Sequence, residues 1–418
     1  MLHTDKIDRR PAFLKHSLEK QVVSIADDLY RNKQDTGSSD LLSGDAGITL
    51  LFAYLARVYP GGKYEDIMFE YLDKLSNSLS EAAMPHSMSG GIAGIGFVFQ
   101  HLRNTGLLDQ AEDLNLAELD ETIGMGAELD FKVGNWDPLH GLTGLGIYFI
   151  ERYKETREKK YLERIVDQIT ELSVVENGYN VWITPGFRHQ SKDSYNFGMA
   201  HGMPGLLSFL AQVYALGIRK SAIAAMILSG LRFLLSCRSR NEELYCFPGS
   251  IELLPAPDTG KRKVLPSRNG WCYGDLGMAN TLIHCGKSLN QDDWYQIGID
   301  MALKTTNIPF NDSRCADAPF CHGSVGLVHQ YNRLYQATQN TRFKEATGYW
   351  LDATMYHYHQ PGVYAGGYAY RHYDDSREKF TWTSSYGLLE GIAGIGLVYL
   401  SCLHDIKPDW DIIFQTNI

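Results

Sequence analysis

Gly91-Ile92-Ala93-Gly94 opens an apolar stretch, and a phrase of the same form, glycine, two residues, glycine, occurs seven times along this chain of 418 residues. The seven first glycines are Gly44, Gly91, Gly141, Gly202, Gly274, Gly323 and Gly391. They lie 47, 50, 61, 72, 49 and 68 residues apart. A fixed phrase that returns about every 50 residues predicts a repeat architecture, in which each unit packs against its neighbours.

Each glycine phrase runs into a segment that is apolar on nearly all sides, as at 48–56 and 206–214. A helix with this pattern is buried on more than one face. Between these segments lie amphipathic stretches with charged residues at helical spacing, at 64–78, 161–174 and 340–356. Each unit is therefore predicted to be a pair of helices, an apolar inner one and an amphipathic outer one.

Seven such pairs predict an all-α fold, and the similarity of the inner helices favours a closed α/α toroid, a double-layered barrel, over an open solenoid. We expect one domain over residues 1–418, with insertions at about 177–196 and 236–267, where the spacing of the glycine phrases exceeds 50 residues. Turn residues and β-formers predict a short hairpin over 177–186, and the prolines and glycines of 236–267 predict a long loop. A stretch rich in tyrosine and glycine, 362–383, precedes the last repeat.

The composition narrows the class of protein. A hydrophobic content of 44% and a charged content of 21% are typical of soluble globular proteins. The formal net charge of -10 argues against nucleic acid as a partner. No apolar run approaches the roughly 20 residues that span a bilayer, and the first ten residues lack the apolar core of a signal peptide. Seven dispersed cysteines do not resemble a disulfide scaffold, so we expect a cytoplasmic protein without a transmembrane segment.

The two residues before each glycine phrase are expected to gather at one end of the ring, because equivalent positions of a repeat occupy equivalent places. In chain order these pairs are Leu42-Ser43, Ser89-Gly90, Leu139-His140, Ala200-His201, Cys272-Tyr273, Cys321-His322 and Leu389-Glu390. The cysteines and histidines are confined to repeats three to six. The sequence therefore predicts that this side of the ring carries the chemistry.

Cys272, Cys321 and His322 belong to the fifth and sixth repeats, which are predicted neighbours. Two thiolates and one imidazole form a zinc ligand set, and three protein ligands leave the fourth position open, as in catalytic zinc sites. The alternative is two buried free thiols and a histidine at a helix start, but the shared register favours a metal centre. The other cysteines have no repeat register and are predicted to be ordinary free thiols: Cys237, Cys246, Cys285, Cys315 and Cys402.

Asp137, four residues before Gly141, is expected at the same end of the ring as His201. A carboxylate beside an imidazole tunes it for acid–base work. The alternative is that Asp137 is a helix N-cap ahead of Pro138.

Three more residues are candidates for the same site. His140 and Trp271 are candidate lining residues of a substrate pocket, although a structural role is the alternative for His140. Arg268, four residues before Cys272, could stabilise a developing negative charge.

The stretches Trp271-Cys272-Tyr273-Gly274, Cys321-His322-Gly323 and Ala200-His201-Gly202 resemble the signature of the lanthipeptide (lanthionine) cyclases. The seven glycine phrases match the sevenfold toroid of that family, so the resemblance covers nearly the whole chain, and the length resembles the stand-alone, nisin-cyclase type. The resemblance implies that Cys272, Cys321 and His322 bind one zinc ion. It also implies that His201, Asp137 and Arg268 form the acid–base group.

The reaction implied by this resemblance belongs to lantibiotic biosynthesis. A substrate cysteine thiolate adds, in a Michael-type reaction, to dehydroalanine or dehydrobutyrine of the same peptide and closes a (methyl)lanthionine thioether ring. The implied substrate is a dehydrated precursor peptide, leader plus core. A dehydratase and an export transporter are candidate partners, which would bring the protein to the inner face of the membrane.

Three alternatives remain open from the sequence. A eukaryotic-type lanthionine-cyclase-like protein would add glutathione to dehydrated residues at a similar zinc site. A prenyltransferase β-subunit also has a zinc site in an α/α barrel, but its ligands include a carboxylate and it requires a partner subunit. A non-catalytic toroid would bind peptides and use zinc only for stability.

Overall fold

The computed structural model of the chain describes residues 11–33, 37–81, 84–108, 115–186, 192–239, 244–253 and 262–418. The fold is mostly helical, in agreement with the prediction. Seven inner helices each take the first glycine of a phrase as their N-cap residue: α2 (Asp45–Val58), α4 (Ile92–Asn104), α6 (Leu142–Thr156), α8 (Met203–Ala215), α10 (Asp275–Leu289), α12 (Ser324–Thr338) and α14 (Ile392–Leu403). Seven outer helices accompany them: α1 (Pro11–Arg31), α3 (Lys63–Glu81), α5 (Leu116–Lys132), α7 (Lys160–Glu171), α9 (Lys220–Ser236), α11 (Asp292–Thr305) and α13 (Thr341–Tyr358).

The helices form two concentric layers, and the ring is closed. Each outer helix packs against an inner one, as α3 does against α2 and α13 against α12. The last inner helix, α14, contacts the first, α2. The N-terminal helix α1 packs against α14 and so supplies the outer partner of the seventh repeat. The predicted α/α toroid is confirmed.

Six backbone hydrogen bonds join neighbouring repeats at the residue two places before the first glycine. They run from Leu42 N–H to Ser89 O (3.2 Å), Ser89 to Leu139 (3.1 Å), Ala200 to Cys272 (3.5 Å), Cys272 to Cys321 (3.1 Å), Cys321 to Leu389 (3.1 Å) and Leu389 to Leu42 (3.0 Å). The N–H of Leu139 donates instead to the Asp137 carboxylate, at 2.8 Å. The residues two places before the first glycines therefore form a hydrogen-bonded rim at one end of the ring.

The glycines allow this close packing. A Cβ on Gly44 would lie 2.2 Å from the carbonyl oxygen of Ser38, six residues earlier. A Cβ on Gly94 would lie 2.7 Å from the Cβ of Leu41 in the preceding repeat. Real Cβ atoms do not approach so closely, and glycine has no side chain to obstruct either contact. The phrase is therefore a packing element of the scaffold.

The C-terminal segment, 404–418, fills the interior of the ring. Its 3₁₀ turn, Asp409–Phe414, packs against α6, and Trp410 and Phe414 are completely buried. The Asp411 carboxylate accepts a hydrogen bond from His329 of α12 at 3.0 Å and forms an ion pair with Arg333 of the same helix at 2.9 Å. Charges buried this deeply require such partners. The segment thus forms a floor beneath the rim.

Short strands lie in and beside the insertions. β1 (Val174–Glu176) and β2 (Tyr179–Val181) form an antiparallel hairpin that begins three residues before the hairpin predicted over 177–186 and ends within that range. The stretch 236–267 differs from the predicted loop, because β4 (Ser250–Glu252) pairs with β3 (Ser194–Asn196) and β5 (Val264–Leu265) in one sheet. Parts of both insertions, at 187–191, 240–243 and 254–261, lie outside the described residues.

A second hairpin, β6 (Tyr370–Asp374) and β7 (Lys379–Thr383), stands in the stretch rich in tyrosine and glycine. Two further 3₁₀ turns span Phe310–Asp312 and Ala365–Gly367. None of the helices that the structure describes is both long and apolar enough to cross a membrane.

Candidate active site

The rim brings Cys272, Cys321 and His322 together as the thiol–imidazole cluster. One ligand atom from each of these residues lies within 4.8 Å of the other two. The ligand atoms of a tetrahedral zinc ion are roughly 3–4 Å apart, given bonds of about 2.0–2.3 Å, so small side-chain movements would close the cluster around one ion. Cys272 is only 6% exposed, whereas Cys321 and His322 are half-buried. The cluster therefore fits zinc and keeps one side accessible.

The electrostatics of the cluster favour a thiolate. A hydrogen bond from the Cys321 thiol, acting against burial and together with the charges of His322 and Arg268, holds the pKa of Cys272 well below its usual range. The same interaction with Cys272 raises the pKa of Cys321. The thiolate is the form that binds metal. Cys272 is therefore the thiol that favours the form in which cysteine binds metal.

A second group on the rim is the Asp137–His201 pair. Nδ1 of His201 lies 2.8 Å from Oδ2 of Asp137. The other carboxylate oxygen accepts the backbone N–H groups of Leu139 and His140, each at 2.8 Å. Asp137 caps the turn before α6 and not the helix itself, whose N-cap residue is Gly141. These bonds fix the carboxylate, which in turn fixes the imidazole.

This pairing favours the charged imidazole. Burial opposes the positive charge, but the Asp137 carboxylate and its hydrogen bond outweigh burial and raise the pKa of His201. Against the same effect of burial, His201 lowers the pKa of Asp137. Cys272 also contributes to the raised pKa of His201, so the pair and the thiol–imidazole cluster act on each other electrostatically. The arrangement can hold a proton beside the thiol–imidazole cluster.

The three other predicted residues occupy different places. His140 is exposed, stacks on the His201 ring with centroids 5.5 Å apart, and lies 2.6 Å from the Ser89 hydroxyl through Nδ1. Arg268 is half-buried, and its charge acts on Cys272. Trp271 does not line an open pocket: it is 1% exposed, and its indole N–H donates to the carbonyl oxygen of Phe414 at 2.8 Å. The C-terminal floor therefore occupies the indole N–H of Trp271, which was predicted to line the substrate pocket.

Several neighbours of the site were missed by sequence reasoning. Asp317, 1% exposed, places Oδ2 at 3.5 Å from Nε2 of His322. Tyr273 accepts a hydrogen bond from Asn196 at 3.1 Å, and burial raises its pKa to about 12. The hairpin β6–β7 brings the Tyr370 ring to 6.1 Å from the His322 ring. Asp317 and Asn196, like Arg268, stand six residues before a first glycine, and this shared position in the repeat could have identified them. Tyr370 has no such position in the repeat.

Comparison with known proteins identifies the family to which the chain belongs. The family described as "Lanthionine synthetase C-like protein" matches residues 35–415, and the chain belongs to this family. It is 25% identical over 359 residues to "Nisin biosynthesis protein NisC" of Lactococcus lactis subsp. lactis. The matched region covers 79% of this chain and 82% of the relative. A solved structure, "Nisin cyclase", superposes with a TM-score of 0.72 at 17% identity, covering 96% of this chain and 98% of that one. Together these similarities support a lanthipeptide cyclase.

Proposed function

We propose that this protein is a zinc-dependent cyclase that closes (methyl)lanthionine rings in a dehydrated precursor peptide. The observation that carries the proposal is the thiol–imidazole cluster beside the Asp137–His201 pair on one rim. A three-ligand metal site with an accessible side, next to an imidazole whose pKa is raised by a carboxylate, suits the joining of a thiol to an activated double bond. Membership of the family supports the same reaction.

Cys272, Cys321 and His322 would hold the ion. Zinc bound at this place would supply one function, the lowering of the pKa of a coordinated substrate thiol. The buried Cys272 forms the back of the cluster and the half-buried His322 its front, so a peptide can approach from the rim. Holding the thiol and the double bond of one peptide side by side supplies the proximity that an intramolecular addition needs.

The remaining residues handle charge and protons. Addition of the substrate sulfur to the β-carbon of dehydroalanine or dehydrobutyrine moves the electron pair of the double bond towards the adjoining carbonyl oxygen. Arg268, whose charge acts on Cys272, would stabilise this oxygen. His201, held by Asp137, donates a proton to the α-carbon. The proton lost by the thiol equals the one gained by the α-carbon, so no oxidant or reductant is consumed.

The test is a conversion assay on a synthetic peptide with one cysteine and one upstream dehydroalanine. The product has the mass of the substrate, so an alkylating reagent added afterwards marks each remaining thiol by mass spectrometry. We expect the zinc-loaded protein to consume the thiol, and we expect Cys272→Ala to leave it free. Cys237→Ala, which alters a half-buried cysteine outside the cluster, is the matched control and is expected to convert the peptide.

Two outcomes would contradict the proposal. One is a free substrate thiol after incubation with zinc-loaded protein; the other is full conversion by Cys272→Ala. Glutathione added to the same assay separates the alternative activity, because a glutathione adduct carries extra mass and a ring does not. Adducts in place of rings would assign the site to glutathione addition.

A further inference from the structure

A second column of equivalent residues, most of them polar, lies behind the rim residues that directly precede the glycine phrases. It consists of the residue six places before each first glycine: Ser38, Pro85, Asn135, Asn196, Arg268, Asp317 and Ser385. In repeats one, two, three, six and seven the carbonyl oxygen of this residue accepts the first N–H of the inner helix, as in Asn135 to Leu142 and Asp317 to Ser324, each 3.0 Å. In those repeats the backbone fixes where the side chain begins. Amide or charged side chains occur at this position in repeats three to six, where the cysteines and histidines of the rim also lie.

Members of this column reach towards those rim residues. Nδ2 of Asn135 donates to the carbonyl oxygen of His140 at 3.1 Å. Nδ2 of Asn196 donates to the hydroxyl of Tyr273 at 3.1 Å. Oδ2 of Asp317 lies 3.5 Å from Nε2 of His322. The column thus supports the residues of the site from behind.

Asp317 is the member of this column whose side chain faces His322 of the thiol–imidazole cluster. Its carboxylate is 1% exposed, and Oδ2 also accepts the backbone N–H of Arg371 at 3.1 Å. Oδ1 has no hydrogen-bond partner within the described part of the chain, and a Cβ on Gly323 would lie 2.7 Å from it. A carboxylate buried in this way is costly unless a charge or a strong donor faces it. The imidazole of His322 is the side chain that meets this need.

We propose that Asp317 is a positioning residue for the metal centre: it holds Nε2 of His322 and thereby turns Nδ1 towards Cys272 and Cys321. This inference rests on the proposed zinc site. A histidine that binds a metal through one ring nitrogen commonly donates its other N–H to a carboxylate, which fixes the tautomer and the ring orientation. Because Asp317 also binds Arg371, it connects the hairpin β6–β7 to the metal ligand.

The test is the zinc affinity of the full-length protein, measured by competition with a chromogenic chelator. For Asp317→Asn we expect an affinity about 10–100-fold below that of the unmodified protein. The exposed Asp312→Asn, which makes the same exchange five residues away, is the control and is expected to bind zinc normally. The cobalt-substituted protein gives a second readout, since its absorption bands report ligand geometry. These bands are expected to shift in Asp317→Asn and to remain unchanged in Asp312→Asn.

An affinity of Asp317→Asn within twofold of the unmodified protein, with unchanged cobalt bands, would overturn the inference. If that variant fails to fold, a crystal structure of the unmodified zinc-loaded protein decides the question. It is expected to show Nδ1 of His322 on the metal and Nε2 at hydrogen-bond distance from Asp317, and coordination through Nε2 would refute the inference. Absence of zinc binding by the unmodified protein would instead refute the proposed function.

Discussion

The ring has two parts: repeats three to six form the first, and repeats one, two and seven form the second. The two parts share one backbone design but differ in their side chains. In both parts a glycine caps each inner helix, and the rim hydrogen bonds pass through Leu42 and Leu389 as they do through Cys272 and Cys321. The first part places thiols, imidazoles and carboxylates on the rim, whereas the second places mostly small and apolar residues there. The glycine phrase therefore builds the ring, whereas the residues before it distinguish the part that carries the candidate site from the part that does not.

The backbone departs from this design where the chemistry is placed. The N–H of Leu139 donates to the Asp137 carboxylate, so repeats three and four are joined through the side chains of Asp137 and His201. In the fifth repeat Gly274 has a φ of +135°, whereas the other six capping glycines have negative φ values. A residue with a side chain is strained at that φ, so the turn that carries Cys272 depends on glycine. Departures from a regular repeat are expected at functional sites.

The largest expected effect contrasts equivalent positions in the two parts of the ring. Cys321→Ala removes a proposed zinc ligand, and we expect conversion of the dehydrated peptide to fall below detection. Leu389→Ala changes the equivalent residue of the next repeat and is expected to retain conversion, because only packing is lost. Thiol alkylation followed by mass spectrometry measures both. Equal conversion by the two variants would show that the parts of the ring do not differ in the proposed way.

Removal of the proposed proton donor is expected to have the next largest effect. His201→Ala should lower the rate of ring closure by about 10²–10⁴-fold, the usual contribution of a positioned acid. Its zinc content should equal that of the unmodified protein, because His201 is not part of the thiol–imidazole cluster. Single-turnover rates and metal analysis on the same sample test both statements. Loss of zinc in this variant would assign His201 to the metal site.

The scaffold is expected to respond differently. Gly94→Ala places a Cβ 2.4 Å from the carbonyl oxygen of Met88 and 2.7 Å from the Cβ of Leu41, so we expect a loss of about 1–3 kcal/mol in the free energy of unfolding. Gly348→Ala is the matched control: it lies inside α13 with no atom within 4 Å of its added Cβ, and is expected to gain about 0.5–1 kcal/mol. Thermal unfolding compares them. A Gly94→Ala variant as stable as the unmodified protein would refute the packing role.

The smallest expected effect is a change in pH dependence. Asp137 raises the pKa of His201, so the imidazole stays protonated to a higher pH than it would without the carboxylate. In Asp137→Asn burial acts without this opposition and lowers the pKa, and the rate of ring closure should begin to fall at a lower pH. The pH–rate profiles of the two proteins measure the shift. An unchanged or higher alkaline limb would contradict the role of Asp137.

The register of the repeat made most of the fold and the core of the site predictable. Cys272 and Cys321 are 49 residues apart, yet their equivalent positions predicted that they meet, since a ring converts a shared register into a shared place. The same reasoning extended to Asp137 and His201. No local pattern beyond the register was needed for either pair.

Other features depend on contacts that no repeat encodes. Trp271 faces the C-terminal floor because residues 404–418 enter the ring, and nothing near Trp271 in the sequence announces this. Strand β3 pairs with β4, which begins 54 residues after β3 ends, so the local sequence of 236–267 predicted only a loop. Asp317 was predictable in principle, since it stands six residues before Gly323 as Arg268 does before Gly274.

The zinc content of three purified proteins tests the central claim most directly, namely that the rim residues of repeats five and six form a metal centre. The three proteins are the unmodified protein, Cys272→Ala and Leu42→Ala. Each variant changes the residue two places before a first glycine, Cys272→Ala in repeat five and Leu42→Ala in repeat one. Metal analysis is expected to give one zinc ion per chain in the unmodified protein and in Leu42→Ala, and none in Cys272→Ala. One zinc ion per chain in Cys272→Ala, or none in the unmodified protein, would contradict the account.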